Sequence, residues 1–340
     1  LVTFLSVLIF CIYWGLLIWI LGFLQNKTQK WSLAKPILAA SCLTLGEALL
    51  TFLFDQMPYY LYNSGYGLLN QVFTVQWAAF FGLPFLNFML VLFNCLLAQI
   101  IIHKKWKLWW QPLLILIFSL VGGWYFLNYA RRIKSTKPIT VAIAVENIPP
   151  QLRWDEQGGN VLAQRLLSLN QQAAALKPDI VLWSESTLPW TYQPNDDLLL
   201  ELLKEPYPTK SIHFLGYMSN HSTAKLYNSI YALYAANGKV LGRYDKRYLL
   251  DFVETKSLGL NIPFLDLGDY LIAQGRDAQP ISTPFGRAGL MICNEVIKPQ
   301  AALSAAKKGA QFLLNASNDG WFKESSFVNS AKVHFLYARL

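Results

Sequence analysis

The sequence predicts a polytopic α-helical membrane domain followed by an α/β domain, and three observations predict it. Charge is partitioned unevenly: of the 29 Lys and Arg and 20 Asp and Glu, only ten precede residue 133, namely Lys27, Lys30, Lys35, Glu47, Asp55, Lys104, Lys105, Lys107, Arg131 and Arg132. Those first 132 residues hold four long apolar runs. Beyond them, short runs rich in β-branched residues alternate with helix-like stretches, the pattern of a layered α/β domain. The boundaries read as 1–132 for the helical domain and 133–340 for the second.

The apolar runs cover about 1–25, 37–54, 78–102 and 112–130, and the first carries no charge. Roughly 20 residues cross a hydrocarbon core, so each is long enough to span. Loop 26–36 holds three lysines and loop 103–111 three more, Lys104, Lys105 and Lys107. Loop 55–77 holds only Asp55, with Tyr59, Tyr60, Tyr62, Tyr66 and Trp77. Basic loops stay cytoplasmic, which places the aromatic loop and residues 133–340 on the outer face. Arg131, Arg132, Lys134 and Lys137 follow the fourth run and argue the other way; two alternating basic loops outweigh them. The net charge of +9 does not indicate a nucleic-acid partner, because the basic residues flank apolar runs and suit anionic headgroups instead. Glu47, inside the second run, marks either a substrate-binding position or a helix-packing contact, since a carboxylate in the membrane is costly. The chain opens at Leu1 without a methionine and stops at Leu340 in a helix-like stretch, which reads as truncation at both ends.

In the second domain, 139–145 and 179–183 read as buried strands and 155–176 as a helix. Further strands are expected at 212–217, 227–234, 288–293 and 311–315, a hairpin turn at Asn237-Gly238, and a helix over 299–309. Three polar residues fall at strand ends or in the loops after them, where catalytic groups concentrate. They are Glu185 in Trp183-Ser184-Glu185-Ser186, Lys246 in Tyr244-Asp245-Lys246-Arg247-Tyr248, and Cys293 in Ile292-Cys293-Asn294-Glu295. Singly, each has an ordinary explanation: a cysteine in a core, a glutamate or a lysine on a surface. The cysteine count adds weight. Cys11, Cys42 and Cys95 fall in apolar runs, so Cys293 is the single thiol of the second domain and has no second cysteine there with which to form a disulfide.

The order Glu185, Lys246, Cys293 resembles the nitrilase, or carbon–nitrogen hydrolase, superfamily. The surrounding words carry more of the resemblance than the three residues do. Leu182-Trp183-Ser184-Glu185-Ser186-Thr187-Leu188-Pro189 resembles its W-P-E-[ST]-x-x-P block, and Tyr244-Asp245-Lys246-Arg247-Tyr248-Leu249 its Y-x-K-x-x-L block. Ile292-Cys293-Asn294-Glu295 resembles I-C-[YF]-E, and Ser317-Asn318-Asp319-Gly320-Trp321-Phe322 resembles S-N-D-x-W-F. Asn147-Ile148-Pro149-Pro150, followed by Trp154-Asp155, resembles the N-I-P-Q…K-W opening of the domain. With apolar spans in front, the chain resembles the apolipoprotein N-acyltransferase family. Two departures stand out: Asp251-Phe252-Val253-Glu254 where that family has Pro-Phe-Gly-Glu, and Asn294 where it has an aromatic residue.

The resemblance implies an αββα sandwich for the second domain, and seven spans before it and one after it in the whole family architecture. It implies a bacterial inner membrane protein with the catalytic domain on the periplasmic face. It implies acyl transfer from a phospholipid donor, through a cysteine thioester, to the α-amine of a diacylglyceryl lipoprotein. Glu185 would be the base, Cys293 the nucleophile and Lys246 the oxyanion partner, aided by the backbone N–H of Asn294. Glu254 and Glu295 would support them, and Glu47, Trp321 and Phe322 would touch substrate. No cofactor or metal is expected. Two other readings stay open: a membrane-tethered amidase that uses water as acceptor, and an inactive polytopic binding or scaffold protein.

Overall fold

The computed structural model describes residues 33–53, 63–68, 70–132, 138–146, 158–222, 225–250, 254–255, 271–277 and 279–318, together with 7–8, 11–19, 22 and 155. The chain divides into two compact units, Leu1–Ser135 and Thr136–Ala338.

In the first unit the described elements are helices α1 (Ala34–Leu53), α2 (Ala78–Ile102) and α3 (Trp110–Arg132), with short 3₁₀ turns at Ser64–Leu68, Thr74–Trp77 and Trp106–Leu108. Three helical stretches are long and apolar enough to cross a membrane: Ala34–Phe52, Thr74–Ile102 and Trp106–Arg132. Of the first apolar run, 1–25, the described residues are helical backbone at 7–8, 11–19 and 22. The expected span at 78–102 is not one straight helix. Pro84 has no N–H to donate, and Gly82 breaks the helix with a φ of 71°. Trp77 stacks on Phe118 at a centroid distance of 4.5 Å and donates its indole N–H to the Ser119 carbonyl at 3.0 Å.

Glu47 lies on α1, 2% exposed. Its carboxylate accepts the Ser64 hydroxyl at 3.0 Å and the Ser64 backbone N–H at 3.3 Å. Asn87 Oδ1 accepts the Gly65 N–H at 2.7 Å, so two polar side chains of neighbouring helices hold the turn at Ser64–Leu68. The described contacts of Glu47 are therefore those of a residue that anchors a turn.

The second unit is built on a seven-stranded sheet of order β1-β2-β4-β5-β6, with β3 pairing on β4 and β7 on β5. The strands are β1 (Val141–Ile143), β2 (Ile180–Leu182), β3 (Leu188–Thr191), β4 (Ile212–Ser222), β5 (Lys225–Tyr234), β6 (Val240–Asp245) and β7 (Leu271–Ile272). β1, β2 and β4 run parallel; β4, β5 and β6 form an antiparallel meander. The β5–β6 turn uses Gly238 at a φ of 67°, as the Asn-Gly pair predicts. A second sheet has the order β10-β9-β8, from β8 (Ile281–Thr283), β9 (Gly286–Ile292) and β10 (Phe312–Ala316).

Strand alternation decides which side chains meet what. On β4 and β5, Leu215, Tyr217, Tyr231 and Leu233 enter one core with Leu166 of α4 (Gly159–Ala175) and Leu199 of α5 (Asp197–Leu202). Ile212, Phe214, Ile230 and Ala232 point the other way and meet Ala288, Leu290 and Ile292 of β9. The opposite face of β9 takes α6 (Pro299–Lys307): a Cβ on Gly289 would lie 2.9 Å from Ala305 Cβ. The layers therefore run α, β, β, α, and Phe214, fully buried at 0% exposure, fastens the two sheets. Truncating such a phenylalanine to alanine costs about 3–5 kcal/mol.

Candidate active site

Glu185 stands in a turn that begins where β2 ends. Trp183 is buried, its indole N–H donating to His213 Nδ1 at 2.9 Å. Ser186 then takes a φ of 52°, a left-handed conformation that disfavours any side chain. The turn lies directly on β4 at Gly216, where a Cβ would come 2.5 Å from the Ser186 nitrogen and 2.7 Å from the Ser184 carbonyl. The Thr187 hydroxyl, with one proton and two acceptors, sits 2.8 Å from the Ser184 carbonyl and 3.0 Å from Glu146 Oε1. So held, Glu185 Oε1 accepts from Asn228 Nδ2 at 2.8 Å and from Lys246 Nζ at 3.2 Å.

Lys246 follows β6, and its N–H donates to the Asn228 carbonyl at 2.8 Å, extending the β5–β6 ladder by one residue. On the reverse face of the same strands, Ser229 Oγ donates to Asp245 Oδ1 at 2.6 Å and fixes that register. The Lys246 side chain is 1% exposed, and its ammonium lies between Glu185 Oε1 and Glu254 Oε1, the latter at 2.8 Å. Glu254 is steadied by the Leu250 N–H on its other oxygen, at 2.9 Å. Burial alone would discharge the ammonium. The Glu185 carboxylate, the neighbouring Cys293 sulfur and the Glu254 carboxylate outweigh it and hold the Lys246 pKa well above its ordinary value.

Cys293 comes from the other sheet. β9 ends at Ile292, and Cys293 opens a 3₁₀ turn, Cys293–Ile297, at a φ of 55°. Left-handed backbone at a cysteine is strained and must be held by its surroundings. Glu295 supplies the hold. It is 0% exposed and accepts the N–H groups of Arg247 at 2.8 Å, Tyr248 at 3.0 Å and Ile292 at 2.7 Å, with the Tyr244 hydroxyl at 3.0 Å from both oxygens. Burial raises the Glu295 pKa, against the three N–H groups and the Lys246 charge that lower it. Asn294 is 1% exposed, and neither atom of its side-chain amide has a hydrogen-bond partner among the described residues.

The structure thus gathers Glu185, Lys246, Glu254 and Cys293, with Asn294 and Glu295 in the turn that starts at the cysteine. Glu47 belongs to the helical unit. Trp321 and Phe322, with the Asp251 departure, lie outside the described residues.

The chain is similar to known proteins. Residues 142–334, more than half the chain, match the family model described as carbon-nitrogen hydrolase. The chain belongs to the carbon–nitrogen hydrolase family. Residues 1–96 match a second family model, the apolipoprotein N-acyltransferase N-terminal domain. The apolipoprotein N-acyltransferase of Geobacter metallireducens is 26% identical over 77% of this chain and 52% of its own length. That of Haemophilus ducreyi is 26% identical over 95% of this chain and 65% of its own. The chain therefore spans between about half and two thirds of these curated relatives. A solved carbon-nitrogen hydrolase from Helicobacter pylori G27 aligns with a TM-score of 0.41 and 17% identity, over 58% of this chain and 67% of its own.

Within this family member, sequence reasoning missed four supports of the site: Asn228, Gly216, Glu146 and Tyr244. Asn228 carried a usable signal. It interrupts the apolar run of β5 on the face shared with Ile230 and Ala232, and a buried amide in a strand needs partners. Gly216 gave a weaker one, as a glycine within a strand often marks close backbone approach.

Proposed function

We propose that this chain carries apolipoprotein N-acyltransferase activity: it moves an acyl chain from a phospholipid, through a thioester on Cys293, to the α-amine of a diacylglyceryl-cysteine lipoprotein. The observation that carries the reading is the buried Lys246 ammonium, set between Glu185 and Glu254 with Cys293 as its electrostatic neighbour. A match to an acyltransferase N-terminal domain and three membrane-length apolar helices support a lipid donor over a soluble one.

The chemistry follows from charge bookkeeping. A thiolate, not a thiol, is the nucleophile. Moving the Cys293 proton to Glu185 leaves the net charge of the cluster unchanged, so it avoids creating a second uncompensated buried charge. The thiolate attacks the ester carbonyl, and the oxyanion is met by Lys246 and the backbone N–H of Asn294. One such donor is worth about 3–4 kcal/mol of barrier. Glu185 returns its proton to the departing lysophospholipid oxygen. The lipoprotein amine then attacks the thioester, its proton goes to Glu185, the C–N bond forms and the C–S bond breaks. Glu254 holds Lys246 in place throughout.

We place the catalytic unit on the periplasmic face of a bacterial inner membrane, on the alternation of basic and non-basic loops. A periplasm-dependent reporter fused after Lys137 should be active; a silent one, with a cytoplasmic reporter active there, overturns the orientation. The activity is tested by mass spectrometry of the purified chain after incubation with phospholipid. An acyl group is expected on Cys293, and Cys293→Ser should abolish transfer while serine at Cys11, Cys42 and Cys95 largely preserves it. Near-normal transfer by Cys293→Ser overturns the assignment.

A further inference from the structure

Among the described residues, Asn294 is the only buried side-chain amide whose nitrogen and oxygen both lack a partner: Nδ2 and Oδ1 alike. It is 1% exposed. Its neighbour Glu295, equally buried, accepts from four separate groups, so the turn is not short of polar order. A buried primary amide with nothing bonded calls for an explanation, because leucine would fill a similar space without the desolvation cost. The amide also stands one peptide unit, about 3.8 Å between Cα atoms, from the residue proposed to carry the acyl group.

The chemistry of the two substrates selects between them. An amide offers two donors on nitrogen and two acceptor sites on oxygen. The scissile ester of a phospholipid presents acceptors only, and would leave Oδ1 unsatisfied. The N-terminal residue of a peptide presents both, an amine N–H and a carbonyl oxygen, on adjacent atoms. Resting on the acyl-transfer reading, we propose that the Asn294 side chain recognises the lipoprotein acceptor: Oδ1 takes an N–H of the attacking α-amine and Nδ2 donates to the first peptide carbonyl. Held this way, the amine keeps its lone pair for the thioester carbon. The C–N bond forms, the C–S bond breaks, Cys293 leaves as thiolate, and the amine's second proton passes to Glu185. The Asn294 side chain therefore acts in the second half-reaction; to the first the residue contributes only its backbone N–H.

The test separates the half-reactions in the purified full chain. Phospholipid alone is used to build the thioester, followed by mass; a diacylglyceryl-cysteine peptide is then added and discharge is followed. Asn294→Leu should form the thioester at the wild-type rate and discharge it roughly tenfold to a hundredfold more slowly, the loss of one or two hydrogen bonds. Asn294→Ala, which removes the amide without adding a charge, should show the same one-sided defect and covers the case in which the leucine variant folds poorly. Equal discharge by wild type and both variants overturns the inference, as does slowing of both half-reactions by the same factor. A wild-type chain that forms no thioester would instead overturn the acyl-transfer reading itself.

Discussion

Glu295, two residues after Cys293, accepts the backbone N–H of Arg247, the residue after Lys246, at 2.8 Å. One carboxylate thereby ties the turn that presents the thiol to the loop that presents the ammonium. Its other bonds, to Tyr244, Tyr248 and Ile292, fix the same two segments a second time.

Removing that tie should cost stability and site geometry together. Glu295→Ala strands three backbone N–H groups and a phenol, at about 1–3 kcal/mol for each group that water does not reach. Tyr244→Phe removes one hydroxyl and should cost about 1 kcal/mol. Melting temperatures should fall in that order, and alkylation of Cys293 should slow only in the alanine variant.

Replacing the buried cation is a sharper test of the electrostatics. Lys246→Met keeps the volume and leaves Glu185 and Glu254 without their shared partner. Breaking a buried pair from one side typically costs about 3–5 kcal/mol. The thiol pKa should rise relative to wild type, because a favourable charge is gone and two carboxylates remain. Alkylation rate against pH reads this directly; an unchanged profile would mean that Lys246 does not act on the thiol.

Gly216→Ala tests the turn below Glu185. Its Cβ would sit 2.5 Å from backbone, which cannot yield as a flexible side chain does, so the turn must move. Geometry in such sites matters at the ångström scale. Thioester formation is expected to fall at least tenfold, whereas alanine at exposed Gly67, with nothing within 4 Å, should be silent.

His213 should set an acid limit on the catalytic unit. It is 2% exposed, accepts the Trp183 indole N–H, and burial lowers its pKa to about 3 from the usual 6.5. The unfolded chain binds a proton below 6.5 that the native chain refuses until about 3. Stability is therefore full above 6.5 and falls as pH drops through this window, by up to about 1.4 kcal/mol per pH unit. His213→Gln retains an acceptor for Trp183 without the titration, so its melting temperature should fall less steeply between pH 6.5 and 4. Parallel curves would exclude His213 as the cause.

Much of this was legible in the sequence because the signals were local. Strands at β2, β4, β5, β9 and β10 announce themselves as short apolar runs, and the Asn237-Gly238 turn fixes a hairpin. β3, Leu188-Pro189-Trp190-Thr191, is not among the expected strands; its single neighbour, β4, lets Pro189 sit where no ladder N–H is needed. Cys293 was placed at the end of a strand, and the strand stops one residue earlier, at Ile292. What sequence could not reveal was the cross-chain part: Asn228 on Glu185, Glu295 on Arg247, and Gly216 under Ser186 join residues 30 to 48 positions apart. Glu47 shows the reverse limit. Its oddity was visible, but its partner Ser64 became evident only once the chain was folded.

The proposed nucleophile and the groups proposed to activate it come from different sheets: Cys293 follows β9, while Glu185 and Lys246 follow β2 and β6 and Asn228 lies on β5. A newly made chain whose sheets have not yet met carries an ordinary, sluggish thiol and a lysine still in water. On the proposed mechanism, reactivity requires the two sheets to be packed, through Phe214 and the Glu295 tie. By the same mechanism the thiol would therefore stay quiet until the two sheets have packed.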